Sequence, residues 1–172
     1  MIEVIRALEK QPISLSIMQR ACPIARVIAY DKLPPRGTIE SIIGRKKALI
    51  VLYTMHNKRG QKKEGVGHFA CVLPLGKQRY EYFSSYGFPA EKELHMTHSK
   101  GRLLNLLGKN YIRSSARLQK KFNTQTCARW AAARAFLHEL PLAVFTKYFT
   151  KRTILATPDD IVTCATLFAF RG

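Results

Sequence analysis

Acidic residues are scarce in this chain: 11 Asp and Glu stand against 29 Lys and Arg among 172 residues, a formal net charge of +18. A field of that sign draws polyanions through counterion release and carries little base preference of its own. The basic residues are dispersed in short groups (Arg45-Lys46-Lys47, Lys58-Arg59, Lys62-Lys63, Lys120-Lys121, Lys151-Arg152), with no recognition helix or zinc finger to organise them. The expectation is therefore a non-specific DNA contact rather than sequence reading. Cysteine is also sparse. The four thiols (Cys22, Cys71, Cys127, Cys164) lie far apart without a CxxC pair, which argues against zinc and against a disulfide framework. No metal or cofactor is expected. Nor is there an apolar run of about eighteen residues or a signal-peptide layout at Met1-Ile2-Glu3, so a membrane span and secretion by a signal peptide are not expected. The reading is a protein of the cell interior (nucleus or cytoplasm), or one packaged into a particle there. Repeats and low-complexity tracts are missing as well, and the length suits a single domain over residues 1–172.

What the chain does have is 47% hydrophobic residues in patterned segments, the mark of a packed core. Residues 1–11 carry an amphipathic helical pattern (Ile2, Ile5, Leu8) that Pro12 ends, and Ser14 caps a second helix stopping near Cys22-Pro23. A short strand is predicted over Arg26 to Tyr30 and a helical turn over Thr38 to Gly44. Ala48 to Tyr53 is continuously apolar, as in a strand buried on both faces. His56 to Gly67 reads as a basic surface loop, Phe69 to Leu75 and Arg79 to Phe83 as two strands about a Gly76-Lys77 turn. Leu103 to Leu107 is predicted helical and Asn110 to Ile112 a short strand. A long helix begins at Cys127 behind Thr126 or Asn123 as cap and ends near Leu140-Pro141, with further helices over Val144 to Phe149 and from Pro158.

Two of these segments carry chemistry. A thiol attacks only as thiolate, and a helix N-terminus and a nearby imidazole both favour that form. Cys127 alone has such a setting, at the first turn of a helix whose unpaired amides can also face an oxyanion; a small residue packed into a helix start is the bland alternative. Cys71 and Cys164 lie in apolar runs and read as buried thiols. His68 follows Gly65-Val66-Gly67 on a strand, where glycine lets the backbone approach another segment; a lone strand histidine is more often structural. His56 is in a polar loop, His95 and His98 in the charged Lys92 to Lys100 stretch, and His138 about three turns along the Cys127 helix, out of the thiol's reach. A side-chain amide could complete an oxyanion hole. Gln119, eight residues before Cys127, has the freedom to do so, whereas Gln125 is too close along the chain.

In their order these pieces resemble the adenovirus-type (adenain-like) cysteine proteases. The match consists of Gly67-His68-Phe69, Tyr82-Phe83-Ser84-Ser85-Tyr86-Gly87, Leu118-Gln119 and Thr126-Cys127-Ala128-Arg129-Trp130, and covers about residues 14–168. Proteases of this type from large DNA viruses, virophages and related mobile elements look most similar, including a segment like Pro158 to Thr163. The resemblance implies an α+β, papain-related fold, a central mixed sheet flanked by helices with the nucleophile at a helix N-terminus. It implies His68 as base, Cys127 as nucleophile and Gln119 in the oxyanion hole of a cysteine endopeptidase. The implied substrates are virion precursor proteins, cut near small residues such as glycine.

Three residues depart from the family pattern. Phe69 replaces Trp, Ala128 replaces Gly, and Ser84 occupies the place of the Asp or Glu that orients the histidine. A hydroxyl fixes an imidazole tautomer weakly and hardly stabilises imidazolium. Of the other acids, strand alternation turns Glu81 to the face opposite Tyr80, Tyr82 and Ser84; Glu64 could reach only through a loop, and Asp159 and Asp160 are distant in sequence. Ser84 is therefore taken as the orienting residue, with reduced activity as its consequence. The alternative reading is a weak or inactive protease relative serving as a basic, DNA-associated virion component. A deconjugating protease for a ubiquitin-like tag is a more distant third.

Overall fold

The computed structural model describes residues 2–56, 62–76, 78–92, 101–120, 124–150 and 156–170. Two short helices, α1 (Ile2–Lys10) and α2 (Leu15–Ala21), precede strand β1 (Ala25–Ala29). The Ser14 hydroxyl accepts from the Ile17 amide, the N-cap expected from sequence. A 3-10 turn at Tyr30–Lys32 and helix α3 (Ile39–Ile43) lead to β2 (Ala48–His56). Thr38 and Ser41 form a reciprocal capping box at the start of α3. Strands β3 (Lys62–Pro74) and β4 (Tyr80–Phe83), helix α4 (Arg102–Leu107) and strand β5 (Ile112–Arg113) follow. The chain ends in helices α5 (Cys127–Phe136), α6 (Leu142–Thr150) and α7 (Pro158–Ala165).

The strands make one mixed sheet in chain order, β1 to β5. β1 lies parallel to β2 and β4 parallel to β5, while β3 is antiparallel to both β2 and β4. Each parallel pair needs a crossover, and α3 and α4 supply them. The α+β mixed sheet flanked by helices is as expected from sequence. Alternation along β2 and β3 sends Ile50, Leu52, Phe69 and Cys71 to one face and Leu49, Val51, Ala70 and Val72 to the other. The first face packs on α2, α5, α6 and α7, the second on α3 and α4. The continuous apolar run of β2 is thus buried on both faces.

Helix α5 lies in the core of the first layer: nine of its ten residues are buried, and five of those are alanines. Small side chains let the helix approach the sheet closely, and Trp130 fills the remaining space against Phe149 of α6 (ring centroids 4.9 Å apart, 73° between planes). A helix buried all round that carries two arginines must find partners for them. Arg134 forms a bidentate pair with Glu81 of β4 at 2.6 and 2.9 Å and also donates to the carbonyls of Leu137 and Leu140. Arg129 donates to the Thr166 hydroxyl at 3.3 Å and lies over the Phe170 ring; burial lowers its affinity for the proton.

Several expectations are corrected. β3 begins at Lys62, so half of the expected surface loop is strand; the polar sequence there lacks the apolar alternation by which a strand is recognised. β5 occupies Ile112–Arg113 rather than Asn110 to Ile112, and α5 ends at Phe136, short of Leu140. Cys164 is exposed, because α7 turns Asp159, Val162 and Thr163 inward and Cys164 falls on the opposite side. Asn123, His95 and His98 lie outside the described residues. Among the described residues no helix is long and apolar enough to cross a membrane, and no group of His, Cys, Asp and Glu is placed to hold a metal.

Candidate active site

Cys127 opens α5, and its thiol points to the Gly67 carbonyl oxygen at 3.9 Å. Gly67 precedes His68 on β3, so the contact brings the thiol to the backbone that carries the imidazole. A glycine is required there: a Cβ at Gly67 would stand 2.2 Å from the Tyr53 carbonyl oxygen of β2. This is the close backbone approach expected of the glycines before His68, and it lets β3 pass flush against β2 while presenting its other side to α5.

His68 is buried, paired across the sheet with Tyr53. Its Nε2 lies 3.2 Å from the Ser84 hydroxyl, and that hydroxyl also accepts from the Tyr86 amide at 3.3 Å. A hydroxyl can donate or accept, so it holds the ring in place without dictating one tautomer as a carboxylate would. The Tyr86 ring braces the imidazole from one side, with centroids 4.9 Å apart and planes 31° apart, and Phe88 continues the stack at 5.7 Å.

The segment that holds His68 also holds Gln119. The Ser85 carbonyl accepts from the amides of Leu118 and Gln119, and the Ser85 hydroxyl donates to Gln119 Oε1 at 2.9 Å. Gly87 makes this apposition possible: it adopts a φ of +68°, and a Cβ there would meet the Ser115 carbonyl oxygen at 2.5 Å. Gln119 is fully buried, and its Nε2 donates to the Thr124 carbonyl and hydroxyl at 3.1 and 3.3 Å. Gln125, set aside from the sequence, is exposed, with its amide bonded to the Glu9 carbonyl. His138 lies beyond the far end of α5, its Nδ1 against the Ala135 carbonyl.

The acids are disposed as follows. Glu81 faces α5 and pairs with Arg134, on the side of β4 away from Ser84, in agreement with strand alternation. Glu64 has its side chain outside the described residues. Asp160 closes a capping box with Thr157 at the start of α7. Asp159 is fully buried beside the first turn of α5. Its Oδ1 accepts from the Thr126 hydroxyl at 2.6 Å and Trp130 Nε1 at 3.0 Å, and its Oδ2 accepts from the Lys120 amide at 3.3 Å. Thr126 stands at the N-cap position as expected but makes no side-chain cap bond, because its hydroxyl is turned to Asp159. Sequence reasoning missed this role of Asp159. The signal available was the i, i+4 spacing of Thr126 and Trp130, which aims two buried donors at one point and calls for an acceptor. The bracing ring of Tyr86 was missed too.

The remaining thiols differ in setting. Burial pushes Cys22 up to about 11 and raises Cys71 well above the ordinary thiol range, which keeps both protonated and unreactive at neutral pH.

No protein-family model matches the chain. The chain is similar to uncharacterized protein V9 of Sputnik virophage, with 26% identity over 158 residues covering 83% of this chain and 86% of that protein. Among solved structures, ChlaDub1 from Chlamydia trachomatis superposes with a TM-score of 0.43 and 17% identity, over 91% of this chain and 76% of that one.

Proposed function

We propose that the chain is a cysteine endopeptidase with Cys127 as nucleophile, His68 as general base and then acid, and Gln119 with the Cys127 amide as oxyanion donors. The observation that carries the reading is the approach of the Cys127 thiol to the Gly67-His68 backbone, with His68 Nε2 engaged by Ser84. With Nε2 engaged by Ser84, this reading gives the proton transfer to Nδ1. The Cys127 sulfur attacks the scissile carbonyl carbon as its proton passes to Nδ1, and the imidazolium then protonates the departing amine. The resulting thioester is hydrolysed by a water that His68 deprotonates. For Gln119 to serve, one Nε2 hydrogen must turn from Thr124 to the oxyanion. The resemblance to adenain-like proteases supplies the substrate class, virion precursor polypeptides cut near glycine. The excess of 29 basic over 11 acidic residues adds a non-specific DNA contact. That contact is expected to weaken steeply with salt and to ignore base sequence, and a flat salt response would refute it.

The test is hydrolysis of a fluorogenic glycine-rich peptide. Cys127→Ala is expected to lower kcat by about 10³-fold or more, and equal activity in the variant sinks the reading. Ser84 favours a second reading, a weak or inactive relative kept as a basic virion component. Ser84→Asp separates the two: restoring a carboxylate at His68 raises kcat if a working Cys–His pair lacks only its orienting acid. A thiol that stays inert in both proteins decides for the second reading.

A further inference from the structure

Asp159 has no function in the scheme above, yet it bonds to the residue next to each of the two candidate oxyanion donors. Its fully buried carboxylate holds the Lys120 amide through Oδ2 and the Thr126 hydroxyl through Oδ1. Lys120 follows Gln119 and Thr126 precedes Cys127, so the two backbone positions fixed by this carboxylate adjoin the two candidate oxyanion donors. Trp130 Nε1, one turn further along α5, shares Oδ1 and fixes the carboxylate against the helix. Asp159 itself is held at the start of α7 by Pro158 and the Thr157–Asp160 capping box.

We propose that Asp159 is the positioning residue of the oxyanion-binding side: one carboxylate that sets the spacing between the segment bearing Gln119 and the N-terminus of the helix bearing Cys127. The inference rests on the peptidase reading. It assigns no contact of Asp159 with substrate. Its effect passes through the placement of two N–H donors, and misplacement of such groups by about 1 Å costs on the order of 10²-fold in rate.

The substitution Asp159→Asn isolates one arm. The remaining carbonyl oxygen can keep Thr126 and Trp130, while the new NH₂ faces the Lys120 N–H and releases it. Three measurements on the full chain decide the matter: peptide hydrolysis, alkylation of Cys127 by iodoacetamide, and thermal unfolding. Alkylation requires the thiol nucleophile but generates no oxyanion. For folded Asp159→Asn, kcat is expected to fall about 30-fold with KM little changed, while the alkylation rate stays within about threefold of wild type. Combined with Gln119→Ala, the losses are expected to be less than additive, because both act on one donor.

A folded Asp159→Asn with wild-type kcat overturns the proposal, as does a parallel loss of kcat and alkylation, which marks general disorder of the site. Should Asp159→Asn fail to fold, Thr126→Val removes the hydroxyl arm alone, and an undiminished kcat there overturns it equally. A wild-type chain without Cys127-dependent hydrolysis is a different result: it overturns the peptidase reading itself, and this inference with it.

Discussion

The two ends of α5 are each fastened to the rest of the molecule by a buried carboxylate, but with opposite chemistry. At the C-terminal end, Glu81 meets the full charge of Arg134 in a bidentate pair, and the same guanidinium gathers the carbonyls of Leu137 and Leu140. At the N-terminal end, the partners of Asp159 among the described residues are neutral donors: a hydroxyl, an indole and a backbone amide. A charge pair in a dry interior is costly to break, because either partner alone is an uncompensated buried ion. Neutral donors around a carboxylate at a helix start leave its charge for the dipole to balance, and each can be lost singly. The difference teaches where rigidity and adjustability are placed. The end remote from Cys127 is locked to the sheet, whereas the end at the candidate site is held by three separable bonds.

The comparison can be broken at its stronger end first. Arg134→Met leaves Glu81 buried without a cation and is expected to cost about 3–5 kcal/mol in chemical denaturation, with most of it recovered when Glu81→Leu is added. An equal penalty in the double variant would show that packing rather than charge dominates this end. At the other end, Trp130→Phe keeps most of the ring contact with Phe149 but deletes one donor to Asp159, for a loss of about 1.5–3 kcal/mol. If that loss matched the Arg134 value, the two fastenings would not differ in kind.

The smallest effect uses Cys22, buried against the same layer as α5 and bonded to neither clamp. Its folded value of about 11 lies above the ordinary 9.0, so the unfolded chain releases this proton first as pH rises. The stability it lends is complete below about pH 9 and disappears as pH rises through about 11. Unfolding free energies measured across that window should decline, and Cys22→Ala should flatten the slope.

Much of the fold was legible from the chain. Ser14 acts as the expected cap because a short hydroxyl side chain fits that geometry, and β2 reads as doubly buried because no polar residue interrupts Ala48 to Tyr53. His68, Ser84, Gln119 and Cys127 were singled out from local chemistry together with the family resemblance, and a chain of contacts through Gly67, Ser84 and Ser85 links the segments that bear them. What escaped the sequence were features set by helix rotation and long-range packing. Cys164 has apolar neighbours along the chain, but neighbours along a helix do not share its face. Asp159 lies 39 residues from Lys120 and 33 from Thr126, and only the docking of α7 on α5 brings them together.

Gly67 also acts on folding fidelity. β2 pairs with a β3 whose first half is polar and glycine-containing, the kind of strand in which register is weakly specified, and a one-step slip there would turn His68 to the opposite layer. A slip in either direction places Val66 or His68 opposite Thr54, where the Tyr53 carbonyl leaves no room for a Cβ. The missing side chain thus works as a key against one-step slips, the errors that would close the strand in the sheet with its histidine facing the wrong way.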